Sequence, residues 1–354
     1  MAQALQSVSQ AEFGGWIGAA REDITPPVGI YSRNWGAASH DTDLGVHRPL
    51  TATALTLQTA PEAAPCVLVA LDLCWWRAPE DEGKIRNGLI AALSLDPARV
   101  LINLSHTHAA PLPCLADSDK PGGHLMAPWL ETLQAAVITA ARRALADRRL
   151  ATLSWRYGRC DLAQDRDLYD PAADRCVVGY NPALVADDTL LVGRVTTEDG
   201  AILATLVNYA CHATTLGWEN RQTSPDFIGA MREVVEAQTG GAPCLFLQGA
   251  SGELALLEQY RPDTAGADRN GRRLGFAALE GMLPPQTRLD YTGGSNRARR
   301  WRSGSAFPRP PRARWKPFRR SPMSHCAPFR QARRSRPGWR RARIAVQSLL
   351  AAGP

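Results

Sequence analysis

Apolar residues fall into two rhythms along the chain. Short β-branched or alternating runs bounded by Gly, Pro or Asp predict strands over 16–28 (before Pro26-Pro27), 51–59, 66–73, 100–104, 151–159, 190–196, 201–209 and 244–247. Helical spacing marks four other stretches. Ile85, Leu89, Ala92 and Leu93 predict a helix over 79–95, stopped by Asp96-Pro97. Leu130, Leu133, Val137, Ala141, Ala144 and Leu145 form one stripe over 128–147. Helices over 226–238, with Asp226 near the N-cap, and over 268–283 complete the set. Thr197-Glu198-Asp199-Gly200 predicts a hairpin turn, while 29–43 and the Asp-rich stretch after Arg159 read as irregular. Strands mixed with helices and joined by short connections predict an α/β domain: a mixed-sheet layered domain with flanking helices.

Three of these strands run into polar groups. The run at 100–104 leads into Ser105-His106-Thr107-His108, and an extended segment would put His106 and His108 on one face. The run at 201–209 leads into Cys211-His212, and the run at 244–247 into Gln248-Gly249-Ala250-Ser251-Gly252-Glu253. Sites in open α/β sheets gather at strand C-termini. Histidines delivered there, the pair His106 and His108 together with His212, suggest a metal centre. Zinc wants three or four protein ligands, so Asp72, Asp226 or Glu253 are candidates to complete the set. Glu253 is also a candidate general base. Ser251 reads as a turn residue, because a nucleophile elbow G-x-S-x-G needs Gly at 253. His40 and His47 flank a loop and read as structural; His124, in a Gly-rich loop, is a candidate to line a cleft.

Charge divides the chain. Of 41 Lys/Arg, 17 lie after residue 294, leaving 24 basic against 34 acidic residues before it, net −10. No Asp or Glu follows Asp290, and the last 60 residues are rich in Arg, Pro, Ser and Trp. Three readings fit this tail: a disordered polyanion-binding segment, a basic anchoring segment, or out-of-frame translation of a GC-rich gene. The abrupt switch favours the last. The eight cysteines contain no CxxC pair and read as reduced thiols, with Cys160 and Cys176 the one pair worth checking as a disulfide. The start lacks a basic region followed by an apolar one, so no signal peptide is expected, and no run is long enough to span a membrane. These features predict a cytoplasmic protein with a domain over 1–290, a tail over 291–354, and no specific nucleic-acid partner for the domain.

The chain resembles the neutral (non-lysosomal) ceramidases and their bacterial relatives from Trp16 to about Leu283. The resemblance rests on Asp23-Ile24-Thr25-Pro26, Gly45-Val46-His47-Arg48-Pro49-Leu50, Ser105-His106-Thr107-His108-Ala109-Ala110-Pro111, Asn208-Tyr209-Ala210-Cys211-His212-Ala213-Thr214-Thr215, Ser224-Pro225-Asp226-Phe227-Ile228-Gly229, and Gln248 to Glu253. It implies a zinc-dependent amidase in which His106 and His212 bind Zn2+. It also implies that His108 lies beside the scissile bond and that Arg166 holds the substrate, a small-molecule or lipid amide such as an N-acyl sphingolipid. Zinc lowers the pKa of bound water and polarises a carbonyl, and a neighbouring His can serve the leaving amine.

The sequence departs from the family at two places. The family's Glu and Tyr zinc ligands lie in its C-terminal third, but here no Glu or Tyr follows Tyr291. Ala255 stands at the position of the family's serine. Zinc-activated water, acting on an amide or ester, is therefore the expected chemistry. The alternative is a non-catalytic chain whose basic tail binds polyanions.

Overall fold

The structure is a computed structural model, and it describes residues 12–282. In chain order these form β1 (Phe13–Asp23), β2 (Gly45–Val46), β3 (Thr51–Gln58), β4 (Cys66–Leu71), α1 (Pro79–Leu93), β5 (Val100–Leu104), α2 (Met126–Ala146) and β6 (Arg149–Arg159). There follow β7 (Ala163–Asp165), β8 (Asp167–Asp170), β9 (Arg175–Val178), β10 (Thr189–Thr197), β11 (Ile202–Tyr209), β12 (Gln222–Thr223), α3 (Phe227–Gln238), β13 (Cys244–Gln248), β14 (Leu254–Leu256) and α4 (Ala265–Met282). The domain boundary expected near 290, the tail over 291–354 and residues 1–11 lie outside the described residues.

Eight strands form one mixed sheet in the order β13-β11-β10-β6-β1-β3-β4-β5. Its centre is antiparallel. Each end is a parallel pair, β4–β5 and β11–β13, bridged by α1 and α3 respectively. The α/β class with a mixed sheet and flanking helices is what the apolar rhythm predicts.

Three apolar clusters show the layers. Ile17, Leu55, Leu68, Leu153, Val195, Leu206 and Leu245 join strands from across the sheet on one face. On the other face, α1 and α2 cover β1, β3, β4 and β5, and α3 and α4 cover β10, β11 and β13. The predicted α2 stripe is the buried one, with Leu130, Leu133, Val137, Ala141 and Ala144 at or near zero exposure. Helix α2 lies so close to β1 that a Cβ on Gly18 would sit 1.8 Å from the Ala144 carbonyl oxygen.

Because the two halves of the sheet share a core, its edge strands approach each other. The Asn103 side chain, at the end of β5, accepts from Gln248 N–H at 2.9 Å and donates to Gln248 O at 3.5 Å, at the end of β13. The C-termini of β4, β5, β11 and β13 thus meet at one place.

Local departures from the sequence reading have identifiable causes. Helix α1 stops at a left-handed Ser94, whose N–H returns to Ala91 and Ile90, before Asp96-Pro97 is reached. Asp96 instead caps the short turn that follows. The Asp-rich stretch read as irregular holds β7, β8 and β9. β8 and β9 are mostly exposed and β7 is only three residues long, so no apolar alternation marked them. Among the described residues all cysteines are free; Cys160 is buried and Cys176 exposed. No described helix is long and apolar enough to cross a membrane.

Candidate functional site

Strand β5 ends at Leu104. Ser105 N–H and His106 N–H then donate to Leu71 O and Leu73 O, at 2.8 and 2.9 Å, tying the segment to the end of β4. His106 itself has φ +62°, a left-handed conformation that non-glycine residues rarely adopt. The extended geometry that would put His106 and His108 on one face is therefore broken at His106, while Thr107 bridges Ala213. His106 and His108 nonetheless come together, their rings 5.0 Å apart and nearly perpendicular, because the left-handed turn swings one toward the other.

His212 arrives from β11. Its N–H donates to Leu254 O at 2.8 Å, and its ring Nδ1 lies 2.6 Å from Ser251 O. His106 Nδ1 lies 3.0 Å from Cys74 O. A carbonyl can only accept, so both Nδ1 atoms carry the proton. In the neutral rings both Nε2 atoms then present bare lone pairs, and these face each other at 3.0 Å. Two lone pairs held that way repel unless a cation lies between or beside them. The donor set, two imidazole Nε2 atoms oriented by backbone carbonyls behind them, is of a kind that holds a divalent metal, and it supplies two of the three or four protein ligands that zinc takes.

Arg166 follows β7, which pairs with β14, and this pairing carries it to the histidines. Its Nε and Nη2 donate to Gly252 O at 3.1 and 2.9 Å, and Nη2 also lies 3.0 Å from His212 Nε2. The guanidinium thus takes the lone pair that a metal would use.

His108 is the anomaly. Both of its ring nitrogens are buried without a hydrogen-bond partner among the described residues. Burial, reinforced by the charges of His106, His212 and Arg166, lowers its pKa to about 2. Burial, then Arg166 and His106, lowers His212 to about 4, and burial chiefly lowers His106. All three imidazoles are neutral at pH 7.

The carboxylates suggested as additional ligands are engaged elsewhere. Asp72 forms a buried two-pronged ion pair with Arg232, at 2.9 and 2.6 Å, and also accepts from Thr51. Asp226 is fully buried and accepts from Phe227 N–H and Leu216 N–H, capping α3. Glu253 meets the site through its backbone carbonyl, which accepts Arg166 N–H at 2.8 Å. The one cluster of three possible metal donors among the described residues is Cys74, His106 and His108, and no carboxylate joins it. Cys74 is an unsuitable ligand alongside His212. Its sulfur lies 3.8 Å from His106 Nδ1, on the opposite edge of the ring from Nε2, and burial raises its pKa strongly, keeping it a thiol.

Ser251 behaves as a turn residue. Its hydroxyl bonds Gln248, and its carbonyl orients His212. The Ser224-Pro225-Asp226 segment supports the site from behind, since Thr107 donates to Ser224 O and Ser224 N–H to Ala109 O, both at 2.7 Å. His47 bonds Ser224 at 2.9 Å and belongs to this supporting layer. His124 is exposed.

The sequence reading missed an aromatic wall. Trp35 lies 4.6 Å from His108 and Trp75 5.4 Å from it, ring to ring; Tyr260 and Trp218 stand beyond, 5.5 and 6.2 Å from Trp35. These residues sit on loops without periodicity. The available signals were Trp35-Gly36 and Gly217-Trp218 in turn-forming stretches and the Trp75-Trp76 pair just after the β4 run.

No protein-family model matches the chain, and no curated protein sequence matches it significantly. Solved structures do. A ceramidase complexed with C2 superimposes with a TM-score of 0.61 at 18% identity, covering 77% of this chain and 44% of that one. The neutral ceramidase from Pseudomonas aeruginosa gives 0.57 at 17% identity, covering 77% and 45%. The chain has a ceramidase-like fold, and it spans less than half the length of these two structures.

Proposed function

We propose that this chain is a zinc-dependent hydrolase acting on an amide or ester bond, with His106 and His212 as metal ligands. The observation that carries this reading is the pair of Nε2 atoms facing each other at 3.0 Å, each ring fixed from behind by a backbone carbonyl. The fold shared with ceramidases supports the reaction class and suggests an N-acyl amide substrate. When bound, zinc would supply a Lewis acid for a carbonyl and would acidify water.

The chain's own residues set the rest. His108 is neutral, so it offers one N–H and one lone pair without charge. Its N–H can polarise a carbonyl oxygen as a neutral imidazole, and its bare nitrogen can accept from the substrate's N–H. Burial disfavours an imidazolium here, so service to the leaving amine would pass through the neutral ring. Arg166, whose Nη2 would yield His212 Nε2 to a metal, would hold the substrate. Trp35 and Trp75 exclude water from His108. The carboxylate of Glu253 has no role in this reading.

The test is zinc per mole of folded protein by elemental analysis, alongside hydrolysis of a panel of N-acyl amides and esters. We expect about one zinc per chain, and loss of both zinc and turnover in His106→Ala. Zinc near zero in the wild type, or hydrolysis that survives His106→Ala, would refute the reading.

A further inference from the structure

The imidazole of His108 is sealed. Both ring nitrogens are buried, and neither has a partner among the described residues. Buried polar atoms without a partner are uncommon, and each needs a cause. Two indoles close over the ring: Trp35 at 4.6 Å, and Trp75 at 5.4 Å and edge-on. In this conformation His108 has no nitrogen free to meet a substrate, so one of the covers has to move. The two covers are held differently. Trp75 follows Cys74, whose carbonyl orients His106, so shifting it would disturb a metal ligand. Trp35 lies on a strap with a firm base. There Tyr31 bridges Thr42, Ser32 N–H donates to Asp41 O at 2.8 Å, and the Ser32 and Thr223 hydroxyls both donate to buried Asp43 at 2.7 Å. Between this base and buried Ala38 the strap is short, residues 33–37, and its ties are weak. Arg33 pairs with Asp41 at the exposed surface, where an ion pair is worth little. Gly36 and Ala37 are exposed, with nothing within 4 Å of where a Cβ on Gly36 would sit. The strap reaches the site through Asn34, whose Nδ2 donates to Ala110 O at 3.3 Å. Firm ends and a loosely tied middle suit a hinged lid.

We propose that residues 33–37 form a lid and that Trp35 is its gate: the Asn34–Ala110 hydrogen bond breaks, the indole leaves His108, and the substrate takes the place of the ring. The gate rests on the reading of His108 as a substrate-facing group and adds how a substrate reaches it. The unpartnered nitrogens of His108 then have a cause, since their partner enters only when the lid opens. Closure over the bound substrate would keep water from the reacting bond.

Diethyl pyrocarbonate, which ethoxycarbonylates a bare imidazole nitrogen, tests this on the full-length chain. Labelling is kept to low conversion in the presence of chelator, and each histidine is followed by peptide mass mapping. Neither zinc nor turnover is needed, so the gate can fail while the metal assignment stands, and the reverse. In the wild type, a lid open about 0.1–10% of the time makes His108 react about ten- to a thousandfold more slowly than exposed His124. Asn34→Ala cuts the tie and leaves the indole in place, and it should raise the His108 rate about three- to tenfold, the loss of one hydrogen bond. Trp35→Ala should raise it further. His47, in the supporting layer, should keep its rate in both variants. His108 reacting as fast as His124 in the wild type would mean that the site stands open. No reaction at His108 over hours in which the chain stays folded would mean that nothing opens. Either wild-type result overturns the gate, whether or not a variant folds. So does an unchanged His108 rate in Asn34→Ala, or a rise matched at His47, which would report general loosening.

Discussion

Asn103 and Gln248 clasp the two edges of the sheet, the Asn103 amide meeting both the N–H and the carbonyl of the Gln248 backbone. His106 lies three residues beyond Asn103, and the Gln248 side chain bonds the turn at Ser251 that orients His212. This clasp therefore sets the gap between the two Nε2 atoms. Asn103→Ala should cost about 1–3 kcal/mol in urea unfolding, the expected range for leaving Gln248 N–H unsatisfied. Zinc affinity should fall in the same variant, although no ligand has changed. A variant that loses stability but keeps wild-type zinc affinity would show that the clasp does not position the histidines.

Asp72 and Arg232 make a different kind of prediction. Both are almost fully buried, and the pair lies beneath the β4 end from which Cys74 O orients His106. Removing one partner strands a buried charge, so Arg232→Met should cost about 3–5 kcal/mol. The double variant Asp72→Asn with Arg232→Met should recover a large part of that loss. A double variant no more stable than Arg232→Met alone would mean that the charge pair is not the source of the effect.

Acid should destabilise the metal-free protein earlier than ordinary carboxylates would. His108 and His212 titrate near 2 and 4 when folded, against about 6.5 for an unperturbed histidine. Below about pH 6.5 the unfolded chain takes up protons that the folded chain refuses. The stabilisation from these groups is thus complete above about 6.5 and is lost as pH falls, by up to ~1.4 kcal/mol per pH unit for each. Asp226, raised to about 6 chiefly by burial, works the other way, since its folded form gains a proton first and is favoured as pH drops through 6. Comparing wild type with His108→Leu isolates the His108 contribution. The variant's thermal midpoint should fall less between pH 7 and 5; parallel curves would contradict the assigned burial of a neutral imidazole.

Much of this was legible in the sequence, and what was not has physical reasons. The α2 stripe and the strand runs were visible because burial on one face imposes a period. His106 and His212 were visible because both follow apolar strands directly. The left-handed turn at His106 was not, since a single φ leaves no mark on periodicity. Trp35 and Trp218 were missed for a related reason: they reach the site through loops, whose course depends on contacts with distant segments. Asp72 looked like a spare ligand from its place at a strand end. Only the fold shows Arg232, 160 residues away, already holding it.

In the proposed site, zinc would compete with Arg166 for one lone pair. Nη2 of Arg166 lies 3.0 Å from His212 Nε2, the atom that also faces His106 Nε2. Metal binding must therefore displace a hydrogen bond and bring a divalent charge beside a fixed guanidinium. Even at the dielectric of water, charges of +1 and +2 about 5 Å apart repel by roughly 1.7 kcal/mol. Arg166→Met removes both the competing donor and the repulsion, so zinc should bind about tenfold more tightly. Competition with a fluorescent zinc chelator measures this. Zinc affinity that drops in Arg166→Met would mean that the guanidinium supports the metal site, through its hold on the Gly252 carbonyl, more than it opposes it.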